Sequence, residues 1–171
     1  SSDQTTIRVA VPSDAAPGFY GFNLFSASTN GNTSSNYTFV IEVMPENDIS
    51  YSFLNQASDF IPGQIHTSSV LVTNTGNSEL ELQWDMALVS GPCTVQLVDA
   101  LTSGLSPGSS ANVEFTIEVE SSATAADECE ISLDGEGHHG TYEYDADEYI
   151  FTIGIDELIA FELYSPSEGV I

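Results

Sequence analysis

A chain of 171 residues is long enough for one large or two small domains, and with 41% hydrophobic residues it has the apolar material for a packed core. Its charge is one-sided: 26 acidic side chains face a single basic one, Arg8, for a formal charge of −25. Without cations to displace the counterions of a phosphate backbone, nucleic-acid binding is excluded, and attraction to an anionic membrane surface fails for the same reason.

Strand signals run the length of the chain. Residues 6–11 (TIRVAV) alternate and are broken by Pro12 and Ser13-Asp14. After the Ala16-Pro17-Gly18 turn, residues 19–27 (FYGFNLFSA) form an aromatic-rich strand. Asn30-Gly31-Asn32 marks a turn, and residues 37–44 (YTFVIEVM) form a third strand that Pro45 ends. Residues 49–54 open a second series. The Ile61-Pro62-Gly63 turn leads to residues 68–74 (SSVLVTN), closed by Thr75-Gly76-Asn77. Residues 79–88 (ELELQWDMAL) then place Leu80, Leu82 and Trp84 on one face.

Residues 93–98 (CTVQLV), 111–119 (ANVEFTIEV), 127–133 (DECEISL) and 148–155 (EYIFTIGI) complete the series. A turn is expected at 105–109 and a Gly/His loop at 134–140. Residues 121–127 (SSATAAD) hold good helix formers but are too few to count on as a helix. A further strand begins near residue 160. Seven or so short strands over roughly 110 residues, with turns every 8–12 residues, predict an all-β fold of antiparallel sandwich type.

The chain also repeats itself. Residues 113–133 (VEFTIEVESSATAADECEISL) line up with residues 5–25 (TTIRVAVPSDAAPGFYGFNLF). Each is an alternating strand ending in Val, a corner of small polar residues, and a second alternating strand. The expected organisation is therefore 1–46 as the C-terminal part of one sandwich, 47–156 as a complete sandwich, and 157–171 as the first strand of a further repeat or a donated strand.

Residues 61–119, with IPGQ, SSVLVTNTGNSELELQW and LSPGSSANVEFTIEV in succession, resemble the prokaryotic, chiefly archaeal, immunoglobulin-like surface repeats related to the cell-adhesion-related domain of bacteria and to the NPCBM-associated domains. Residues 5–25 resemble the closing half of the same unit. The resemblance implies antiparallel immunoglobulin-like β-sandwich repeats, arranged in tandem in secreted or cell-surface proteins, and carries no catalytic residues. Cys93 and Cys129 lie outside the shared pattern.

Those two cysteines allow one disulfide, worth roughly 3–4 kcal/mol by loop closure, and an extracellular setting favours it. No run approaches the roughly 18 apolar residues of a membrane-spanning helix, so direct membrane insertion is not expected. No signal peptide is recognisable, and a chain opening on Ser1 reads as a processed product or a piece of something longer. Asn32-Thr-Ser and Asn36-Tyr-Thr are glycosylation sequons.

The acidity reads as solvation in a saline medium, with clustered carboxylates holding Ca²⁺ as the sharper alternative. Asp145 and Asp147, at alternate positions as in calcium loops, followed by Glu148 and with Asp134 nearby, are the candidate calcium ligands, but without the glycine and final glutamate of an EF-hand. His138-His139, with Asp134 and Glu136, is the weaker candidate for a transition metal, against an exposed loop tip. Trp84 reads as a core anchor, against a sugar-stacking platform.

No nucleophile elbow, phosphate loop, dinucleotide fingerprint or zinc-protease motif appears, so an enzyme is not expected. Two functions follow. The first is a structural or adhesive module of a stalk, surface layer or fibre, its partners being neighbouring repeats or copies joined by strand donation. The second is a carbohydrate- or surface-binding module accessory to a secreted enzyme.

Overall fold

The alternation of apolar and polar residues becomes two facing antiparallel sheets and a separate hairpin in the computed structural model. It describes residues 6–25, 30, 36–53, 60–139 and 142–156. The hairpin pairs β1 (Gly18–Leu24) with β2 (Tyr37–Val43). The sandwich follows with β3 (Ile49–Phe53), β4 (Ile65–Asn74), β5 (Leu80–Ser90), β6 (Cys93–Leu97), β7 (Leu101–Leu105), β8 (Ser110–Val119), β9 (Glu128–His139), β10 (Tyr142–Asp145) and β11 (Tyr149–Gly154). One sheet runs β3-β4-β8-β6. The other runs β10-β9-β5-β7, with β11 also on β9. All described residues in regular structure are strand, so the all-β immunoglobulin-like sandwich is the fold of this chain.

Period-two patterning decides which side chains enter the core. In β8, Val113, Phe115, Ile117 and Val119 are buried while Glu114 and Glu118 face out. In β5, Leu80, Leu82 and Trp84 point in while Glu81, Gln83 and Asp85 point out. Ile131 and Leu133 of β9 and Phe151 and Ile153 of β11 meet them. Each such side chain removed from water contributes about 1.5–3 kcal/mol. Along one side, β3 closes the gap between the sheets with aromatic rings: Tyr51 stacks on Tyr149 at 4.9 Å and Phe53 on Phe151 at 4.5 Å.

The structure corrects the expected loop at 134–140. β9 runs on through His139, and β10 folds back along it with Tyr144 opposite Gly137 and Asp145 opposite Glu136. The glycines mislead because they serve packing rather than turning. A Cβ on Gly135 would meet the Trp84 ring at 2.5 Å, and one on Gly137 would meet Leu82 Cδ2 at 2.7 Å. Large inward side chains on β5 need the neighbouring strand to present none.

Two smaller differences stand beside it. Residues 101–104, outside every element predicted from the sequence, form β7 together with Leu105 on the edge of β5. Residues 6–11, read as a strand, belong to no sheet among the described residues. The segment at 121–127 is a pair of turns held by Thr124, whose N–H and hydroxyl both donate to Asp127 Oδ2 at 2.8 and 2.9 Å. The predicted strand near residue 160 lies outside the described residues.

Candidate functional site

Between the hairpin and the sandwich the chain passes through residues 44–48, and this connection is gripped by the turn that follows β4. The Glu46 N–H donates to Asn77 Oδ1 at 2.7 Å, and the Asn77 N–H donates back to the Glu46 carbonyl at 2.9 Å. Asn77 Nδ2 donates to the Met44 carbonyl at 3.2 Å and to Ala15 O, ahead of β1, at 3.1 Å. One amide side chain thereby ties both ends of the hairpin unit to the sandwich.

The grip continues along the connection. The Thr75 N–H donates to the Asp48 carbonyl at 2.9 Å, and the Thr75 hydroxyl donates to Asp48 Oδ2 at 2.8 Å. Ser78 Oγ is hydrogen-bonded to Asn47 Oδ1. Gly76 lies so close that a Cβ there would overlap the Glu46 carbonyl oxygen. Beneath the turn, Asn74 is fully buried; its Nδ2 donates to the carbonyls of Ser78 and Leu105 at 2.7 and 2.8 Å, and its Oδ1 accepts from the Gly76 N–H at 2.9 Å. Backbone polar groups at such a junction must be satisfied, and side-chain amides supply both donors and acceptors. The NTGNS run was legible as a strand terminator; nothing local to it shows that it would hold residues about 30 positions upstream.

The candidate calcium residues are only partly brought together. Asp134 stands directly opposite Asp85 on the outer face of β9 and β5, and Glu136 lies between Gln83 and Asp145. Asp85, Asp134, Glu136 and Asp145 line one shallow depression. Asp147 and Glu148 sit in the break between β10 and β11, outside that depression, where the Ala146 N–H donates to Gly135 O at 2.8 Å. Among the described residues, no group of three or more His, Cys, Asp or Glu side chains is placed to hold a metal ion. His138 and His139 belong to β9, with His138 opposite Glu81 and Glu143.

Like charges directly opposed across a sheet are destabilising. Raising NaCl from about 0.1 M to about 1 M, which shortens the screening length from ~10 Å to ~3 Å, is therefore expected to raise the melting temperature. The check is a thermal melt across that range, with a Ca²⁺ and EDTA series at fixed ionic strength. A flat or falling salt dependence would sink this account, and a Ca²⁺-specific shift would support the calcium reading.

The inner side of the same region holds Tyr51, whose hydroxyl is buried without a hydrogen-bond partner. Burial first, then the field of Tyr144, Asp134 and Asp147, pushes its phenol above the ordinary tyrosine range. Tyr144 is raised as well, by burial and then by Asp48 and Asp147.

Cys93 and Cys129 form a disulfide. Cys93 opens β6 in one sheet and Cys129 lies in β9 of the other, so the bond staples the two layers. Trp84 is buried, and its Nε1–H donates to Thr102 Oγ1 at 2.9 Å. Asn36 is exposed just before β2, and Asn32 lies outside the described residues.

No family model matches the chain, and no curated protein matches it. Among solved structures, the GAE domain of yeast GGA1 is similar, at 10% identity over 63% of this chain and 99% of that chain, with a TM-score of 0.30. That likeness carries no argument about function.

Proposed function

We propose that this chain is a non-catalytic, structural link of an extracellular surface or filament protein, in which tandem immunoglobulin-like sandwiches are held at set angles by the turn after β4. The observation that carries the reading is the joint itself. A flexible tether between units needs no side chain dedicated to it, whereas Asn77 spends its Oδ1 and Nδ2 on the connection and on the unit beyond it. The inter-sheet disulfide supports an oxidising, extracellular setting. The resemblance of residues 61–119 to prokaryotic surface repeats supports the tandem arrangement. The partners are then neighbouring repeats. The glycan-binding alternative loses its sugar platform with Trp84 inside the core.

The joint gives a direct test. Spin labels at Thr38 in the hairpin and Glu114 in the sandwich, both exposed, are expected to give a single narrow distance distribution. Gly76→Ala must push the Glu46 carbonyl aside, and Asn77→Ala removes three side-chain hydrogen bonds, each worth about 1 kcal/mol. Both are expected to broaden the distribution while leaving the far end of the sandwich folded. A broad distribution in the unmodified chain would refute the rigid-link reading.

A further inference from the structure

The hairpin and the complete sandwich contain the same device twice, and only one copy is covered. In β2, Tyr37, Phe39, Ile41 and Val43 recur at the spacing of Tyr149, Phe151, Ile153 and Ile155 in and after β11. The ladders match as well. Phe22 faces Phe39 and Tyr20 faces Ile41, as Ile131 faces Phe151 and Cys129 faces Ile153. Even the corner repeats: the Ala15 N–H donates to Pro12 O at 3.2 Å, as the Ala123 N–H donates to Glu120 O at 3.0 Å. β1 and β2 are thus the counterparts of β9 and β11, and residues 6–11 are the counterpart of the end of β8.

Burial separates the two copies. The corner of the hairpin copy is one residue shorter, so that by ladder position Tyr20, Phe22 and Leu24 are the counterparts of Cys129, Ile131 and Leu133. The latter are completely buried, whereas Tyr20, Phe22 and Leu24 are 40%, 36% and 44% exposed. Together with Val9, Val11, Ile41 and Val43, Tyr20 and Phe22 line an open apolar depression. The opposite face of the hairpin is mixed: Phe19 and Val40 are exposed there, beside Asn23 and Thr38, whose Oγ1 donates to Asn23 Oδ1 at 2.7 Å, and none of these four lines the depression. A two-stranded sheet with an uncovered apolar face is marginal in water.

We infer that this face closes a second sandwich and is covered by a sheet of the β3–β4 kind, supplied by the opening strands of a repeat that precedes the hairpin in the polypeptide. The complete sandwich shows what such a cover does. There β3 lays Tyr51 on Tyr149 and Phe53 on Phe151, while β8 runs between β4 and β6. Residues 6–11 lack both of those neighbours, which is why an alternating segment belongs to no sheet among the described residues. The preceding repeat would bring aromatic side chains onto Tyr37 and Phe39 and pair residues 6–11 on both edges. The inference rests on the reading of the chain as a link in a series, but it concerns the face of the hairpin and not the stiffness of the joint.

The test extends the protein with its own sequence. A copy of residues 47–108 joined ahead of Ser1 supplies β3 to β7 in the register of the repeat. Amide hydrogen exchange of residues 18–24 and 37–43 is expected to slow at least tenfold relative to the unextended chain. Unchanged exchange there, with residues 65–119 protected as before, would overturn the inference. A second measurement needs no extension: the unextended chain is expected to bind the neutral dye Nile red. Phe22→Ser should remove most of that fluorescence, and Phe19→Ser, on the other face, should leave it. Dye binding indifferent to Phe22→Ser overturns the inference. So does a concentration-dependent dimer of the unextended chain that Phe22→Ser dissolves, because the cover is then a second copy. A joint that proves loose in a chain whose extended form gains protection would remove the rigid-link reading alone.

Discussion

Replacing Cys93 and Cys129 together by alanine is expected to lower the melting temperature of the chain by roughly 10–20 °C. The two residues are 36 positions apart, and a closed loop of that length restricts the unfolded chain by about 4 kcal/mol on the chain-entropy model. The location adds to this. Both cysteines are buried, and their bond joins β6 to β9 across the interface between the sheets. Without it the layers are held by side-chain packing and by hydrogen bonds such as that from Asn74 Nδ2 to the Leu105 carbonyl. Differential scanning calorimetry of the double variant checks the size of the effect, and a thiol-labelling assay confirms that the parent has no reactive thiol. A shift below about 5 °C would mean that the staple constrains little that packing does not already constrain.

The second large effect is expected at Asn74. Its side chain is completely buried and makes three hydrogen bonds, to the Ser78 carbonyl, the Leu105 carbonyl and the Gly76 N–H. Alanine leaves those three backbone groups without their partner, at about 1–3 kcal/mol for each group left unpaired. The bonds to the Ser78 and Leu105 carbonyls are buried, and that from the Gly76 N–H is partly so. Asn74→Ala is therefore expected to destabilise by about 3–5 kcal/mol, with relaxation of the turn limiting the sum. Asn74→Asp should be worse at neutral pH, because a carboxylate would face two carbonyl oxygens that now accept from an amide. Chemical denaturation of the two variants measures both. An alanine variant within about 1 kcal/mol of the parent would show that the turn after β4 stands without its buried amide. The local consequence is also specific: the joint should loosen, since Gly76 and Asn77 sit on the scaffold that Asn74 holds.

The legible and illegible parts of this protein divide along a physical line. Val113, Phe115, Ile117 and Val119 could be placed on one face of a strand because side chains alternate with period two whatever the strand packs against. Trp84 could be placed in the core on the same ground. The turn at Pro62-Gly63 and the corner at 121–127 carried their own local chemistry. Gly135 and Gly137 were misread because glycine in isolation signals a turn, and only the Trp84 ring across the ladder shows why the strand needs them. Leu101–Leu105 gave no clear alternation, being an edge strand whose side chains mostly face solvent.

The functional candidates divide in the same way. The acidity of the chain was visible at once, but the pairing of Asp85 with Asp134 and of Glu136 with Asp145 is a matter of register, which no single strand encodes. Asn77 was visible only as the end of a turn. Its partners lie about 30 and 60 positions upstream, at Glu46, Met44 and Ala15, and contacts at such range exist only once both segments have folded.

What the sequence determined by itself is the all-β character, the faces of the strands and the repeat that relates residues 5–25 to 113–133. All of these follow from local sterics and from the period of the strand. What the tertiary structure decided is the joint, the opposed carboxylates and the uncovered hairpin face. Each of those depends on which distant segments meet, and it is burial against a partner, not the order of residues, that gives a polar amide or an apolar ring its role.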